Sequence, residues 1–426
     1  MRPWTLDGRR QQAAPGRTLA VLEPGTAESL ARAIAMLRYY TTGESHGQAL
    51  VALLMGLPAG VPIDFEYVDR ELKRRMGGYG RGGRMKIESD RAQFLSGVRH
   101  GETIGSPITV LIENHDWKNW EQSLAVEASP EAQARRRPLL QPRPGHADLA
   151  GCLKYNFHDA RYVLERASAR ETAARVALGA LAKLFLRAFG IDVASHVIQV
   201  GRVRLEKPDA AFTEILALRD RQEIVLNCVD AAVEARMKQE VDQATESRDT
   251  VGGVFEVVAR GVPAGLGSTA QWDERLDGLL AQAVASVQAV KAAEIGTGVD
   301  SAGRFGSEVH DEIGYDRGQG RFTRKSNRAG GVEGGMSNGE EIVVRGYLKP
   351  ISTLRRPLES VDFETRETVK AAYERSDICV VPAAGVAGEA MVALVLARAF
   401  LEKFGGDSLT ESRRNFEGYR EQVRRF

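Results

Sequence analysis

The sequence predicts a mixed α/β or α+β protein, with one large unit over residues 36–405. Short Val- and Ile-rich runs bounded by glycine alternate with longer segments whose apolar residues recur every three to four positions, so both backbone periods are present in one chain. No stretch inside 36–405 reads as an obvious linker. Glycine is over-represented, at 44 of 426 residues, or about 10% against a usual level near 7%.

The elements follow in order. Residues 1–35 are rich in Arg, Ala, Gln and Pro and are expected to form a poorly ordered extension whose one patterned piece is a short helix over 26–35. Met36 opens the compact run MLRYYTTGESHG and reads either as an internal residue or as the true start. Residues 49–57 and 108–112 read as strands, and 69–76 as a charged, exposed helix ended by Gly77 and Gly78. Ser168 and Glu171 have the spacing of a capping box, opening a helix with Ala173, Val176, Ala180 and Leu184 on one face and a stop at Gly190. A second helix is expected over 273–291, with Leu276, Leu280, Val284 and Val287 aligned, and a third over 389–404, capped by Gly405. Between the helices, 224–229, 254–259 and 341–344 read as strands, and 406–426 as a charged C-terminal tail or peripheral helix.

Composition removes several functions. Lys plus Arg number 58 against 57 Asp plus Glu, a net charge of +1, so there is no long-range field to gather nucleic acid or an anionic membrane, and any basic site must be local. Cys152, Cys228 and Cys379 are far apart and lack a CxxC spacing, which points to no disulfide framework or zinc knuckle and to a reducing cytoplasm. With no HxH or HxxxH spacing either, no metal site is expected. The N-terminus does not read as a secretory signal. The uncharged run 45–63 is broken by His46, Gln48, Pro58, Pro62 and three glycines, so it is read as core and not as a membrane span.

Four segments bring Arg, His and Gly together, as a site for a small anion requires. Glycine lets backbone N–H groups approach, Arg offers paired donors, and His exchanges a proton near neutral pH. In the first, His46 stands between Gly43 and Gly47, ahead of a strand. In the second, residues 70–91 hold eight basic and three acidic side chains, a local +5 that should repel itself unless an anion binds. This segment also contains G-x-G-x-x-G at Gly78, Gly80 and Gly83, but it follows a helix and not a strand, so a dinucleotide fingerprint is not expected. In the third, Pro142 and Pro144 pin Arg143 near His146, and Asp148 either orients that ring or caps the next helix. In the fourth, Arg166 and Arg170 flank a predicted helix start, where cations are the wrong sign unless an anion is bound. Lys349 to Thr353 follows a Gly-rich run, and Arg375-Ser-Asp377 precedes an apolar segment.

Together, GESHG (43–47), RRMGGYGRGGRMKIESD (74–90), RPGHADLAG (143–151), ERASARETAARVA (165–177), GGVEGGMSNG (330–339), KPISTL (349–354) and ERSD (374–377) resemble the chorismate synthase family in content and order, from about Leu37 to about Lys403. The resemblance implies an α+β fold, a β-α-β sandwich with helices packed between antiparallel sheets, in a single catalytic domain over 36–405. It implies a lyase of the shikimate pathway that eliminates phosphate from 5-enolpyruvylshikimate 3-phosphate (EPSP) in a 1,4-anti sense to give chorismate. Reduced FMN would be required and not consumed, and the enzyme would be a cytoplasmic homotetramer.

By motif position, His46 would protonate the departing phosphate and His146 the reduced flavin, while Asp377 would sit near flavin N5 and help it act as the base. Ser45, Arg84, Arg143, Arg170 and Arg375 would bind EPSP, with Arg75 and Arg81 closing the basic loop, where some members are assigned a nicotinamide nucleotide. The FMN positions would be Ala167, Ser168, Ala169, Gln288, Ala289, Gly334, Lys349, Pro350, Ile351, Ser352, Thr353 and Arg375. Ala167 departs from the Ser common in relatives. No Rossmann unit and no fungal-type insertion is visible, so a separate flavin reductase is expected, with NADPH only an indirect source of reduction. Two rival classes make different demands. An oxidoreductase would consume NAD(P)H in step with product, and an RNA binder would show steep salt dependence, which the balanced charge and 7% aromatic content disfavour.

Overall fold

The computed structural model describes residues 37–82, 90–206, 210–221, 223, 225–318, 320–374 and 377–426. The expectations for 1–35, Met36, Arg84 and Arg375 lie outside these residues.

The first sheet is built from β1 (Arg38–Gly43) and β2 (Ala49–Met55), then, after helix α1 (Phe65–Met76), from β3 (Gln93–Ser96) and β4 (Ile108–Glu113). Its order is β1-β2-β4-β3 and every pairing is antiparallel. Leu50, Ala52 and Leu54 stand opposite Ile112, Val110 and Ile108, so one face of the alternation forms a continuous apolar layer. Helices α2 (Asp148–Tyr155), α3 (Arg161–Ala167) and α4 (Thr172–Arg187) follow.

The second sheet is built from β5 (Asp192–Val200), then, after α5 (Ala231–Glu246), from β6 (Gly253–Arg260), and, after α6 (Leu276–Ala285), from β7 (Val290–Ile295) and β8 (Ile342–Leu348). Its order is β7-β8-β6-β5, with Val203–Arg204 at the far edge, and it too is antiparallel. The long helix α7 (Val381–Phe404) packs on β5, β6 and β8, while α4 packs on β1, β2 and β4, and the two helices lie against each other. They thus form a layer between the sheets, the expected β-α-β sandwich. At their crossing, a Cβ on Gly179 would lie 2.2 Å from the Cβ of Ala390, so glycine there permits the approach. By length and composition α7 is apolar enough to cross a membrane, but 83% of its most apolar stretch is buried in this core.

Several sequence expectations need correction. α1 begins at Phe65, where Asp64 accepts from the Tyr67 N–H at 2.9 Å, and it is not an exposed charged helix. Its Glu71 and Arg74 are buried beside Lys183 of α4 and Glu389 of α7. Arg74 Nη2 donates to Glu389 at 2.7 Å and Nη1 to Glu71 at 2.9 Å, while Lys183 bonds both carboxylates. α7 extends eight residues before Glu389, with Pro382 in its first turn. The helix expected over 273–291 stops at Ala285, because Ala289 adopts φ 69° and turns the chain into β7.

Ser168 caps only a 3₁₀ turn, Ala169–Glu171, and the Glu171 carboxylate bonds Thr41, Arg175 and Gln288 instead of closing a capping box. Among the described residues of 224–229 there is no strand, and Asn227, at φ 62°, breaks the extended backbone. The C-terminal stretch is a helix, α8 (Leu409–Arg424), and it is docked through buried Phe416. Gly78 and Gly80 directly follow α1, which excludes the strand–turn–helix context of a dinucleotide fingerprint.

Candidate active site

A cavity of about 1250 Å³ opens where the β1–β2 loop, the end of α1, the 143–147 loop, the start of α4, the turn into β7, the chain after β8 and the start of α7 come together. Each wall is a loop or helix end held by the sandwich, as expected for a site carried on a rigid core.

His46 lies in the β1–β2 loop, mostly buried. Its backbone N–H donates to Glu165 Oε2 at 2.7 Å, and its ring Nδ1 is 2.9 Å from Glu165 Oε1. The Trp120 ring stacks on it, with centroids 4.1 Å apart. Ser45 beside it donates to the Ser168 hydroxyl at 3.0 Å, which joins the first and fourth motifs.

His146 has a partner of the same kind. Its Nδ1 is 2.5 Å from Asp148 Oδ1, and Asp148 also accepts from Arg143 Nε at 2.8 Å and from the Arg143 backbone N–H at 3.0 Å. Asp148 is therefore the orienting group, and Ala147 stands at the helix cap without a side-chain bond. Burial opposes ionisation of Asp148, but the hydrogen bonds from His146 and Arg143 outweigh it and hold the carboxyl well below the usual range. Gly145 takes φ 79° in this loop and its carbonyl accepts from Lys349 Nζ. Burial, reinforced by Lys291, pushes the Lys349 ammonium down.

Among the described residues the cavity arginines meet acids both within the 70–91 segment and elsewhere in the chain, while Arg84, Lys86 and Glu88 lie outside the described residues. Arg75 donates to Thr172 Oγ1 at 2.8 Å and to the Ala169 carbonyl at 3.1 Å, and lies 3.6 Å from Asp90. Arg170 meets the same Asp90 at 2.5 Å. Arg81 lies 3.1 Å from Asp377, whose other oxygen accepts from the Gly82 N–H at 2.6 Å. Arg143 reaches Thr353 at 3.0 Å, which ties the third motif to the segment after β8. Arg166, expected beside a bound anion, donates to the Thr41 carbonyl at 2.6 Å.

Of the nominated residues, Ser45, His46, Arg75, Arg81, Arg143, His146, Ala167, Ser168, Ala169, Arg170, Gln288, Ala289, Lys349, Ile351, Ser352, Thr353 and Asp377 all line this cavity. Pro350 does not, being exposed between half-buried Lys349 and Ile351. Neither does Gly334, which sits at φ 58° in the turn between Val332–Glu333 and Met336–Ser337, with Thr269 as its nearest neighbour. The sequence reading missed Glu165, Asp90, Trp120 and Arg161. Glu165 stands three residues before Ser168 in a motif already singled out, and that was the available signal.

A family model described as chorismate synthase matches residues 37–401. The chain belongs to the chorismate synthase family. Curated chorismate synthases from Acidobacterium capsulatum and Solibacter usitatus are each 65% identical over 396 and 391 residues, which is 92% of this chain and the whole of each relative. A solved structure titled as a crystal structure of chorismate synthase superposes with a TM-score of 0.73 at 41% identity, over 92% of this chain and 99% of the other. Chorismate synthases are lyases acting on carbon–oxygen bonds, and this chain is one of that enzyme family by both sequence and fold.

Proposed function

We propose that this chain eliminates phosphate from EPSP in a 1,4-anti sense to give chorismate, with reduced FMN bound and no net redox change, in the biosynthesis of aromatic amino acids. The observation that carries the reading is one cavity lined by two histidines, each backed by a buried carboxylate, together with Arg75, Arg81, Arg143 and Arg170. EPSP carries a phosphate and two carboxylates, and guanidinium groups meet such anions with paired donors. Arg84 and Arg375 belong to the same set by motif position.

His46 holds the proton given to the departing phosphate, His146 holds one on the cofactor side, and Asp377 serves the proton-accepting side of the reaction. The wall suits a flavin mononucleotide. Gln288 Oε1 is buried there without a partner among the described residues and fits an N–H edge, while Ser168, Ser352, Thr353 and the Lys349 ammonium offer donors to a phosphate. Ala167, Ala169, Ala289 and Ile351 would complete its walls, with Pro350, Gly334 and Arg375 assigned by resemblance alone. When bound, reduced FMN supplies electron density that helps phosphate leave and regains it within the turnover.

The outer face of the first sheet, where Tyr40 is exposed and Val51, Leu53 and Leu111 are half-buried beside Thr42 and Thr109, fits burial between copies in a homotetramer. A cytoplasmic location and a separate flavin reductase, fed by NADPH, complete the proposal.

The test is an anaerobic assay of phosphate release and chorismate formation with reduced FMN, against an oxidised-FMN control without product. His46→Ala should slow turnover by roughly 10²-fold or more. Consumption of NAD(P)H in step with product would instead assign the chain to the oxidoreductases.

A further inference from the structure

We infer that Glu165 is a positioning residue that fixes the tautomer and the orientation of His46, so that the ring exchanges its proton with the cavity through Nε2. The inference rests on the assignment of His46 above.

Glu165 lies in the last turn of α3 and grips residue 46 twice, at the backbone N–H (2.7 Å) and at ring Nδ1 (2.9 Å). An ionised carboxylate only accepts hydrogen bonds, so the nitrogen facing it must carry the hydrogen. Nδ1 is thereby committed as a donor, and Nε2 is the position that gains and loses a proton. The carboxylate side chain is 3% exposed, and Arg161, one helical turn earlier, balances its charge at 3.9 Å. Arg161 also donates to Glu374 at 2.6 Å and stands over the Trp120 ring, 5.2 Å from its centroid.

Trp120 supplies the second constraint. Its indole stacks on the His46 face at 4.1 Å, and its own N–H is anchored to Asp116 at 3.0 Å. The ring is thus held by its edge through Glu165 and by its face through Trp120, which leaves it little rotational freedom. Glu44, the neighbouring carboxyl, is pushed up by burial and then by the charge of Glu165.

The proton balance is simple. The imidazolium gives its Nε2 proton to the leaving phosphate oxygen and becomes the neutral Nδ1–H form, which Glu165 accepts from, and solvent restores the Nε2 proton. Glu165→Gln separates this role from a merely structural one. The amide oxygen can keep the bond to the backbone N–H, while the amide NH₂ then faces Nδ1 and drives the hydrogen to Nε2.

The experiment reads the full-length protein labelled with ¹⁵N-histidine by two-bond ¹H–¹⁵N correlation, with His46→Ala to assign the signal, alongside kcat and KM. Neutral His46 in the unmodified protein should show the Nδ1–H pattern, and Glu165→Gln should convert it to the Nε2–H pattern. The same variant should lower kcat by about 10²-fold with KM for EPSP changed by less than about threefold, and Glu165→Asp should restore part of kcat. An Nε2–H pattern in the unmodified protein overturns the inference, and so does a Glu165→Gln variant with unchanged kcat. If His46→Ala turns over at the normal rate, the assignment of His46 as acid fails instead, whatever tautomer the spectrum reports.

Discussion

Asp90 is buried between two cavity arginines, 2.5 Å from Arg170 and 3.6 Å from Arg75, and its Oδ1 has no hydrogen-bond partner among the described residues. One carboxylate thus stands in for part of the negative charge that an anionic ligand brings. Removing its charge while keeping its shape, as in Asp90→Asn, leaves two buried guanidiniums under-compensated, at a cost of about 1–3 kcal/mol. An added anion then has more to neutralise. The variant is expected to melt lower than the unmodified protein in phosphate-free buffer and to regain more of its Tm when inorganic phosphate is added. Equal phosphate-induced shifts in the two proteins would remove Asp90 from this role.

Across elements, the same compensation ties three helices together. Glu71 and Arg74 of α1, Lys183 of α4 and Glu389 of α7 form a buried network, extended by the Ser195 hydroxyl of β5 at 2.7 Å. Burial opposes ionisation of both carboxylates, yet Arg74 and Lys183 hold them below their usual range, Glu71 at about 2. A carboxyl depressed on folding contributes stability that is fully present above its unfolded value of 4.5 and is lost as pH falls toward 2. The raised Lys183 works in the opposite sense, contributing below 10.5 and losing its effect at higher pH. Stability from this network should therefore be flat through neutrality and decline below about pH 4.5. Lys183→Met leaves two carboxylates sharing Arg74, which should cost about 3–5 kcal/mol and move acid unfolding to higher pH. Tm measured from pH 7 to pH 3 in both proteins checks it. These charges also explain why α1 reads from the sequence alone as an exposed helix. Arg and Glu on one helix face look like a solvated surface until helices more than 100 residues away supply their partners. The strands of the first sheet were legible because alternation such as Leu50, Ala52 and Leu54 is a local property.

At the scale of the whole molecule, the cavity was legible where each motif carried its own chemistry, as in His46 between glycines or Arg143 and His146 between prolines and Asp148. It was not legible where the fold joins distant segments, as with Trp120 on His46 or Asp90 between Arg75 and Arg170. The C-terminal helix is the same lesson outside the site. α8 follows the residues matched by the family model, which end at 401, and its charged sequence reads as a peripheral tail. Yet its Phe416 ring lies 5.5, 5.3 and 5.3 Å from those of Phe189, Phe400 and Phe404, closing an aromatic cluster at the far end of α4 and α7. None of its residues lines the cavity. Phe416→Ala should therefore cost roughly 3 kcal/mol of stability through the void it leaves. Turnover at 25 °C should stay within about twofold, since the walls of the site are held by the opposite ends of the same helices. Chemical denaturation and the phosphate-release assay separate the two effects. A loss of turnover without a loss of stability would mean that α8 communicates with the cavity instead of only sealing the core.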